Sequence, residues 1–184
     1  MPQTDLSRYQ NKAFQRGAPR WKELLWLLCS AILFRHPLAI INGLKIQVLK
    51  AFGAKVGTGV VIKPSVTIKF PWKLRIGDHV WIGEGAWIDN LDQVDIGSHC
   101  CISQGAMLLC GNHNYKKSSF DLITAPITLE NGVWIGAQSL VCPGVRCGSH
   151  AVLSVKSVAT SNLEAFTIYQ GNPAVAKKER RVQD

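Results

Sequence analysis

The stretch IGDHVWIGEGAW, Ile76 to Trp87, consists of two six-residue units with the same layout. Each unit starts with an aliphatic residue followed by glycine, and its fifth residue is small or β-branched. An α-helix has no six-residue period, and an ordinary hairpin sheet does not keep such a phase over many units. A short strand followed by a corner explains the unit, because the aliphatic side chain can point inward while a small residue lets the chain turn.

The same unit recurs on both sides of this stretch. Units aligned on the aliphatic position begin at Val56, Ile62, Ile76, Ile82, Ile88, Ile96, Ile102, Leu129, Ile135, Val141, Cys147 and Leu153. Three units make one triangular coil of about 18 residues, and a single coil cannot bury its own core, so coils must stack. The sequence therefore predicts an all-β fold, a parallel β-helix of about four to five coils.

The repeats divide the chain into three parts. Residues 54–162 are expected to form the β-helix, and residues 163–184 a short C-terminal tail. Residues 1–53 lack the repeat and contain an apolar run, Leu24 to Phe34, that predicts a helical cap. Because a membrane-spanning helix needs about 20 apolar residues, we expect this run either to pack on the β-helix or to lie in a membrane interface.

Composition and charge narrow the function classes. The 184 residues are 47% apolar, which suits one domain with a proper core. The net charge of +9 is mostly scattered, and no nucleic-acid-binding motif accompanies it, so nucleic acid is not an expected partner. The six cysteines form no C-x-x-C pair and are predicted to be reduced, buried residues of a cytoplasmic protein.

The repeat slips before Ile76, and its longest interruption lies between the units at Ile102 and Leu129, where residues 111–126 are expected to leave the coil as a loop. This loop contains His113, and loops on a rigid scaffold are where functional sites are usually built. A neutral imidazole can take the proton of an attacking hydroxyl, which accelerates such reactions by roughly 10²- to 10⁴-fold. His79, His99 and His150 occupy the fourth position of their units and are expected to be corner residues.

Several longer motifs accompany the repeat. They are Phe52-Gly-Ala-Lys, Val61-Ile-Lys-Pro, Pro71-Trp-Lys-Leu, Val80-Trp-Ile-Gly-Glu-Gly, Trp87-Ile-Asp-Asn-Leu, Cys101-Ile-Ser-Gln-Gly-Ala, Gly111-Asn-His, Val133-Trp-Ile-Gly-Ala and Gly171-Asn-Pro-Ala. Together they resemble the hexapeptide-repeat acyltransferase family, and within it the colanic acid biosynthesis acetyltransferases of exopolysaccharide gene clusters. The resemblance implies a left-handed β-helix, a homotrimer, and His113 as the catalytic base. It implies direct O-acetyl transfer from acetyl-coenzyme A, a co-substrate rather than a permanently bound cofactor, to a saccharide hydroxyl.

The resemblance also implies where the substrates bind. Acetyl-coenzyme A would lie in a groove between coils of adjacent subunits, formed at the positions Gly136, Ala137, Ser154, Val155 and Thr160. The last coil departs from the family pattern, because Val155 is bulky and Ser161 replaces a phosphate-binding lysine. A phosphate needs only a nearby cation, which Lys156, Lys177, Lys178 or Arg180 could supply; we select Lys178.

For the acceptor, the residues singled out are Asp89, Asn90 and Trp134. Asp89 and Asn90 could hydrogen-bond sugar hydroxyls, although Asn90 could equally be a corner residue with positive φ. Trp134 could flank the histidine or simply pack at a subunit contact.

Two other functions are weighed against the enzyme. A non-catalytic hexapeptide scaffold is favoured by the altered last coil. A γ-carbonic-anhydrase-like metalloprotein would need a closely spaced histidine pair, and His113 has no such neighbour in the sequence, so no metal site is predicted. The prediction is thus a cytoplasmic acyltransferase, with peripheral contact at the inner membrane through its N-terminal segment.

Overall fold

The computed structural model describes residues 3–11, 14–36 and 40–183, and its main body is a parallel β-helix with three sheets. The first sheet contains β1 (Lys55–Val56), β4 (Leu74–Ile76), β7 (Val94–Ile96), β12 (Ile127–Leu129) and β15 (Arg146–Cys147). The second contains β2 (Val61–Ile62), β5 (Trp81–Ile82), β8 (Cys101–Ile102), β13 (Trp134–Ile135), β16 (Val152–Leu153), β18 (Thr167–Gly171) and the antiparallel β19 (Ala174–Glu179). The third contains β3 (Thr67–Ile68), β6 (Trp87–Asp89), β9 (Met107–Leu109), β14 (Leu140–Val141) and β17 (Val158–Ala159).

The chain visits the three sheets in turn, and these visits define the coils. Five coils are complete, and a bridge between Cys147 and Leu163 together with β18 begins a sixth. The predicted fold class is confirmed. The solenoid is longer than the sequence repeats indicate, because the segment before β4 includes a 3₁₀ turn, Pro71–Lys73, that breaks the six-residue phase. After residue 162, where the β-helix was expected to end, β18 continues the second sheet in parallel with β16.

The aliphatic residue that opens each unit lies in the core. From Ile62 onward, every one of these first residues is at most 4% exposed. The fifth residues, such as Val80, Ala86 and Ala106, are buried beside them. At roughly 25 cal/mol per Å² of apolar surface, this continuous column of buried side chains is the main stabilising term of the solenoid.

The corners use the fourth residue of the unit. Backbone φ lies between +53° and +81° at Gly59, Ser65, His79, Gly85, His99, Gly105, Gly132, Gln138, Gly144, His150 and Lys156. The three histidines predicted to be corner residues are thus confirmed as such. The second-position glycine has a different role: a Cβ on Gly136 would lie 2.6 Å from the Val155 amide nitrogen of the next coil. Glycine at this position allows neighbouring coils to approach closely.

Helices cover the first coil. The described N-terminal helices are a 3₁₀ turn (Leu6–Arg8), α1 (Arg20–Ser30), a π-helical turn (Ala31–Arg35) and α2 (Asn42–Ala51). The side-chain amide of Asn42, in α2, donates to the Val60 carbonyl and accepts from the Ile62 backbone N–H, both at 2.8 Å. Lys45 is buried and donates to the carbonyls of Ile62 (2.9 Å) and Lys63 (3.0 Å), while burial lowers the pKa of its ammonium group. These bonds satisfy backbone groups that no earlier coil could reach.

Candidate active site

His113 is placed by a hairpin that leaves the third coil. After β9 the chain forms β10 (Gly111–His113), which pairs antiparallel with β11 (Leu122–Thr124). The hairpin is closed at its base by a 3.0 Å bond from the Ala125 amide to the Cys110 carbonyl, and β12 then resumes the coil. Anchoring at both strands fixes the position of His113 relative to the third and first sheets.

The imidazole of His113 is held in one orientation. Its Nδ1 lies 2.9 Å from the carbonyl oxygen of Phe120, and its ring stacks on the Phe120 ring at a centroid distance of 4.5 Å and an interplanar angle of 7°. A carbonyl oxygen only accepts hydrogen bonds, so Nδ1 must carry the proton. The neutral ring then has its lone pair on Nε2, which is the arrangement that a general base requires.

The ring borders an open cleft of about 570 Å³. The walls combine apolar side chains, among them Phe70 and Leu122, with the polar side chains of Arg16, Lys69 and Asp89. Asp89 lies 3.2 Å from the Lys69 ammonium group and is 7% exposed. A few convergent polar groups within largely apolar walls are typical of a site that binds a small molecule.

The predicted acceptor contact at Asn90 is wrong. Asn90 is fully buried, and its Oδ1 accepts from the Phe70 amide at 2.9 Å and the Lys69 amide at 3.1 Å. Its Nδ2 donates to the carbonyls of Phe70 (2.6 Å) and Lys73 (3.3 Å). All its hydrogen-bonding capacity is thus used on backbone. The alternative of a positive-φ corner is also wrong, since Asn90 does not have a left-handed backbone; it instead fixes the turn that leads into β4.

We expect Asn90→Ala to lower the free energy of unfolding by about 3 kcal/mol, because buried amides and carbonyls around Phe70 would lose their partners. Chemical denaturation followed by circular dichroism measures this loss. The control is Asn131→Ala, at an exposed corner where the carboxamide bonds to the Ser98 amide; we expect less than half the effect there. Equal losses at the two positions would contradict the special role of Asn90.

The residues predicted for acetyl-coenzyme A lie at another edge of the prism. Gly136 and Ala137 follow β13, and Ser154 and Val155 follow β16, so all four lie where the second sheet turns into the third. The hairpin of His113, in contrast, lies where the third sheet turns into the first. Within one chain the structure therefore brings these four coenzyme candidates together but does not bring them to His113.

The individual groups at this second-to-third edge differ in availability. The Ser154 amide donates to the Tyr169 carbonyl at 2.8 Å, so it has no free N–H for a reaction intermediate. The Ala137 amide has no hydrogen-bond partner within the described part of the chain, and Val155 is 58% exposed. Thr160 is exposed but follows β17, so it lies where the third sheet turns into the first and not at this edge. Trp134, 46% exposed on the second sheet, donates from Nε1 to the Ser103 hydroxyl at 2.9 Å.

The candidate cations are also distinguishable. Lys178 is exposed on β19, opposite Ile168 of β18. Arg180 is engaged elsewhere, because its guanidinium donates to the carbonyls of Gly132 (2.9 Å) and His150 (3.1 Å) at corner residues. Lys178 therefore remains available to a phosphate, whereas Arg180 ties the C-terminal strand to the solenoid.

The segment that precedes α1 contributes to the His113 site, which was not predicted from the sequence. The Asp5 amide donates to the Ser118 carbonyl of the hairpin loop at 2.8 Å, and the Tyr9 ring lies 6.0 Å from the His113 ring. Asn11 and Arg16 line the cleft. This segment carries no repeat, helical period or motif, so nothing in the sequence places it over His113.

Cys110, next to the hairpin, is not suited to nucleophilic catalysis. Its thiol is buried, and burial raises the pKa of that thiol to about 12. At neutral pH it is protonated and shielded, whereas a nucleophilic cysteine needs an accessible thiolate. Within the described residues, no group of three or more His, Cys, Asp or Glu side chains is arranged to hold a metal ion.

An interrupted hexapeptide β-helix with an oriented histidine on the interrupting hairpin defines the class of the hexapeptide-repeat acyltransferases. No protein-family model matches the chain. The colanic acid biosynthesis acetyltransferase WcaF of Escherichia coli K12 is 35% identical over 176 residues, which are 96% of this chain and 97% of that protein. The galactoside O-acetyltransferase of Escherichia coli K12 is 25% identical over 75% of this chain and 70% of its own length.

The fold is shared with a solved structure. The hexapeptide-repeat acetyltransferase of Vibrio cholerae in complex with acetyl-coenzyme A superposes with a TM-score of 0.79, at 19% identity and 89% coverage of both chains. With the full-length relative above, this similarity confirms the expected family: the chain belongs to the hexapeptide-repeat acetyltransferases that include the colanic acid biosynthesis enzyme. It is accordingly an acyltransferase, as the sequence predicted.

Proposed function

We propose that this acyltransferase moves an acetyl group from acetyl-coenzyme A to a hydroxyl group of a saccharide in exopolysaccharide biosynthesis. The observation that carries the proposal is the His113 imidazole, whose Nδ1 proton is engaged by the Phe120 carbonyl and whose Nε2 is left to act as a base. The names of the relatives, a colanic acid biosynthesis acetyltransferase and a galactoside O-acetyltransferase, support the acceptor class, and the Vibrio cholerae structure in complex with acetyl-coenzyme A supports the donor.

The mechanism is direct transfer in a ternary complex. Nε2 of His113 takes the proton of the acceptor hydroxyl as that oxygen attacks the thioester carbonyl. The resulting tetrahedral oxyanion then collapses, the carbon–sulfur bond breaks, and the leaving coenzyme thiolate receives the acceptor's proton from the imidazolium. The free Ala137 amide is our candidate oxyanion donor, and one such donor is typically worth about 3 kcal/mol.

The acceptor is proposed to bind in the cleft beside His113. Asp89 would accept hydrogen bonds from sugar hydroxyls there, with Lys69 holding the carboxylate in place. A carboxylate that accepts from hydroxyl groups is a strong, directional contact, because one partner is charged. Trp134 lies on another sheet, so its contact with the acceptor would have to come from a neighbouring subunit.

A homotrimer would bring the two half-sites together. The His113 hairpin and the groove formed by Gly136, Ala137 and Val155 lie at different edges of one prism, so a neighbouring chain must complete the site. Exposed tryptophans on the lateral sheets, Trp81 at 55% and Trp134 at 46%, support such lateral association. Lys178 would extend the groove toward the coenzyme's phosphates. Thr160 lies at the edge that carries the His113 hairpin, so its contact would be with the coenzyme bound by the neighbouring chain. All six cysteines are free thiols, which supports a cytoplasmic location.

Titration of the protein with acetyl-coenzyme A by calorimetry tests the proposal without knowledge of the acceptor. We expect saturable micromolar binding, and at least a tenfold weaker Kd for Val155→Asp, because the new carboxylate would lie in the path of the pantetheine arm and repel the phosphates. Ile40→Asp makes the same change at an exposed position of the N-terminal cap and should bind like the wild type.

Absence of binding by a folded wild-type protein would contradict the proposed enzyme. The altered last coil, with its bulky Val155, would then have closed the groove. The non-catalytic scaffold would become the better account of the chain.

A further inference from the structure

The outward side of α1 and the following π-helical turn is apolar, although it faces solvent. Its residues recur at helical spacing and are 47–68% exposed; they are Trp21, Leu24, Leu25, Leu28 and Ile32. Ile40 and Ile41, just before α2, and Leu44 within it are exposed as well. We call these eight residues the apolar face. Clustered apolar side chains exposed on one side of a helix mark an interaction site.

The opposite side of α1 already makes the contacts that hold the helix to the β-helix. Trp26 and Phe34 are buried and pack edge to face at 5.2 Å, and the Trp26 indole donates to the Ile68 carbonyl at 2.9 Å. The helix is thus apolar on both sides, whereas a surface helix normally has a polar outer side. The apolar face is therefore not needed for docking the helix and must serve another contact.

The location of the apolar face restricts what can cover it. The bonds from Trp26, Asn42 and Lys45 all reach backbone groups of the first coil, so both helices cover the start of the solenoid. The side of the helices that bears the apolar face points away from that coil. Lateral association of parallel β-helices would leave this end uncovered.

The charge of the same segment points to an anionic partner. Residues 1–53 contain eight basic and two acidic side chains, a net +6 out of the chain's +9. Of the two acids, Glu23 is paired with Arg16 at 2.7 Å. Arg20 adjoins Trp21 and Arg35 lies one turn beyond Ile32, so exposed cations bracket the apolar stripe. A second copy of the same face would be repelled by these charges, whereas an anionic surface would be attracted.

We propose that the apolar face docks onto an anionic lipid surface, with the helices lying in the interface. Within the described chain no helix reaches the length and apolarity that crossing a bilayer requires, so the contact would be peripheral. The apolar side chains enter the headgroup boundary while Arg20 and Arg35 contact lipid phosphates. The inference does not depend on the proposed chemistry, because binding can be measured without turnover.

Co-sedimentation with vesicles tests the inference. The vesicles are pure phosphatidylcholine, or phosphatidylcholine with about 30% phosphatidylglycerol. We expect the full-length protein to bind the anionic vesicles and to be released by added salt. The triple variant Leu24→Gln, Leu28→Gln, Ile32→Gln should lose about tenfold or more of the bound fraction. The matched control replaces three exposed apolar residues elsewhere, Ile123, Val175 and Val182, by Gln and should bind like the wild type.

Three outcomes would overturn the inference. In the first, the wild type would stay in the supernatant with both vesicle types. In the second, the N-terminal triple variant would sediment as well as the wild type. In the third, both triple variants would lose binding equally. Light scattering on the same samples adds a fourth: if only the N-terminal variant changes the oligomer mass, the apolar face is an interface between copies of this chain and not a lipid contact.

Discussion

Replacing His113 by Asn lowers kcat by roughly 10²- to 10⁴-fold, the usual worth of a positioned general base. The Asn carboxamide can still donate toward the Phe120 carbonyl, but it offers no basic nitrogen to the acceptor hydroxyl. Affinity for acetyl-coenzyme A stays the same, because the proposed partner of Nε2 is the acceptor hydroxyl and not the coenzyme. The measurement is steady-state transfer of acetyl to a panel of saccharides, together with calorimetry of coenzyme binding.

His99→Asn is the matched control for this substitution. His99 is an exposed corner residue with φ of +59°, a conformation that Asn tolerates well. We expect this variant to retain wild-type kcat. A His113→Asn enzyme within threefold of the wild type would show that another group, or water alone, removes the proton, and the role assigned to His113 would have to be abandoned.

Two inactive variants should restore activity to each other if the site is shared between chains. His113→Asn removes the base from one half-site, and Val155→Asp disables the groove in the other. In randomly mixed trimers, about one quarter of the sites combine an intact hairpin from one chain with an intact groove from its neighbour. Co-production with two different tags, followed by tandem purification, isolates the mixed oligomers. Each mixed trimer contains one such site out of three, so we expect the activity of the purified mixed oligomers to rise from near zero to about a third of the wild-type value.

The control for this complementation is a double variant that carries both substitutions in one chain, mixed with wild type. It supplies no intact half-site, so in the purified mixed trimers only junctions between two wild-type chains are active, about one sixth of the sites if they are shared between chains and about half if each chain has its own. If mixed single variants stay inactive while each remains folded and trimeric, the half-sites belong to one chain, and the arrangement proposed for the trimer is incorrect.

The sequence predicted the β-helix well because its signal is local and repeated. Each unit has the same pattern of one inward aliphatic residue and one corner. The burial of Ile82 or Ile135 could therefore be predicted from all the units together. The coils that the repeat missed are those where the phase is broken, such as the turn at Pro71–Lys73 and the strand β18. The corner residues were only partly predictable from the sequence. Besides glycine, the left-handed conformation is adopted by histidine, serine, glutamine and lysine, and of these only the histidines were expected.

The candidate site was harder to predict because it depends on contacts between distant segments. His113 was identifiable because the repeat stops beside it. Its partner is a backbone carbonyl at Phe120, which no side-chain pattern can reveal. Asn90 was misassigned because a polar residue at the end of a strand can equally be a ligand-binding group or a buried side chain that hydrogen-bonds to backbone, as it does here with Phe70. The Tyr9 contact depends on a segment without any periodic pattern.

The two ends of the solenoid differ from its interior. At the start, side chains of Asn42 and Lys45 occupy the backbone groups that a preceding coil would otherwise pair with. At the other end, β19 turns back antiparallel and presents Lys177, Lys178 and Glu179 along its exposed edge. A stack of parallel strands is in principle a template for unlimited growth, as in amyloid. Here both ends of the second sheet are closed by groups that a second solenoid cannot continue, which removes this route to end-to-end growth along that sheet.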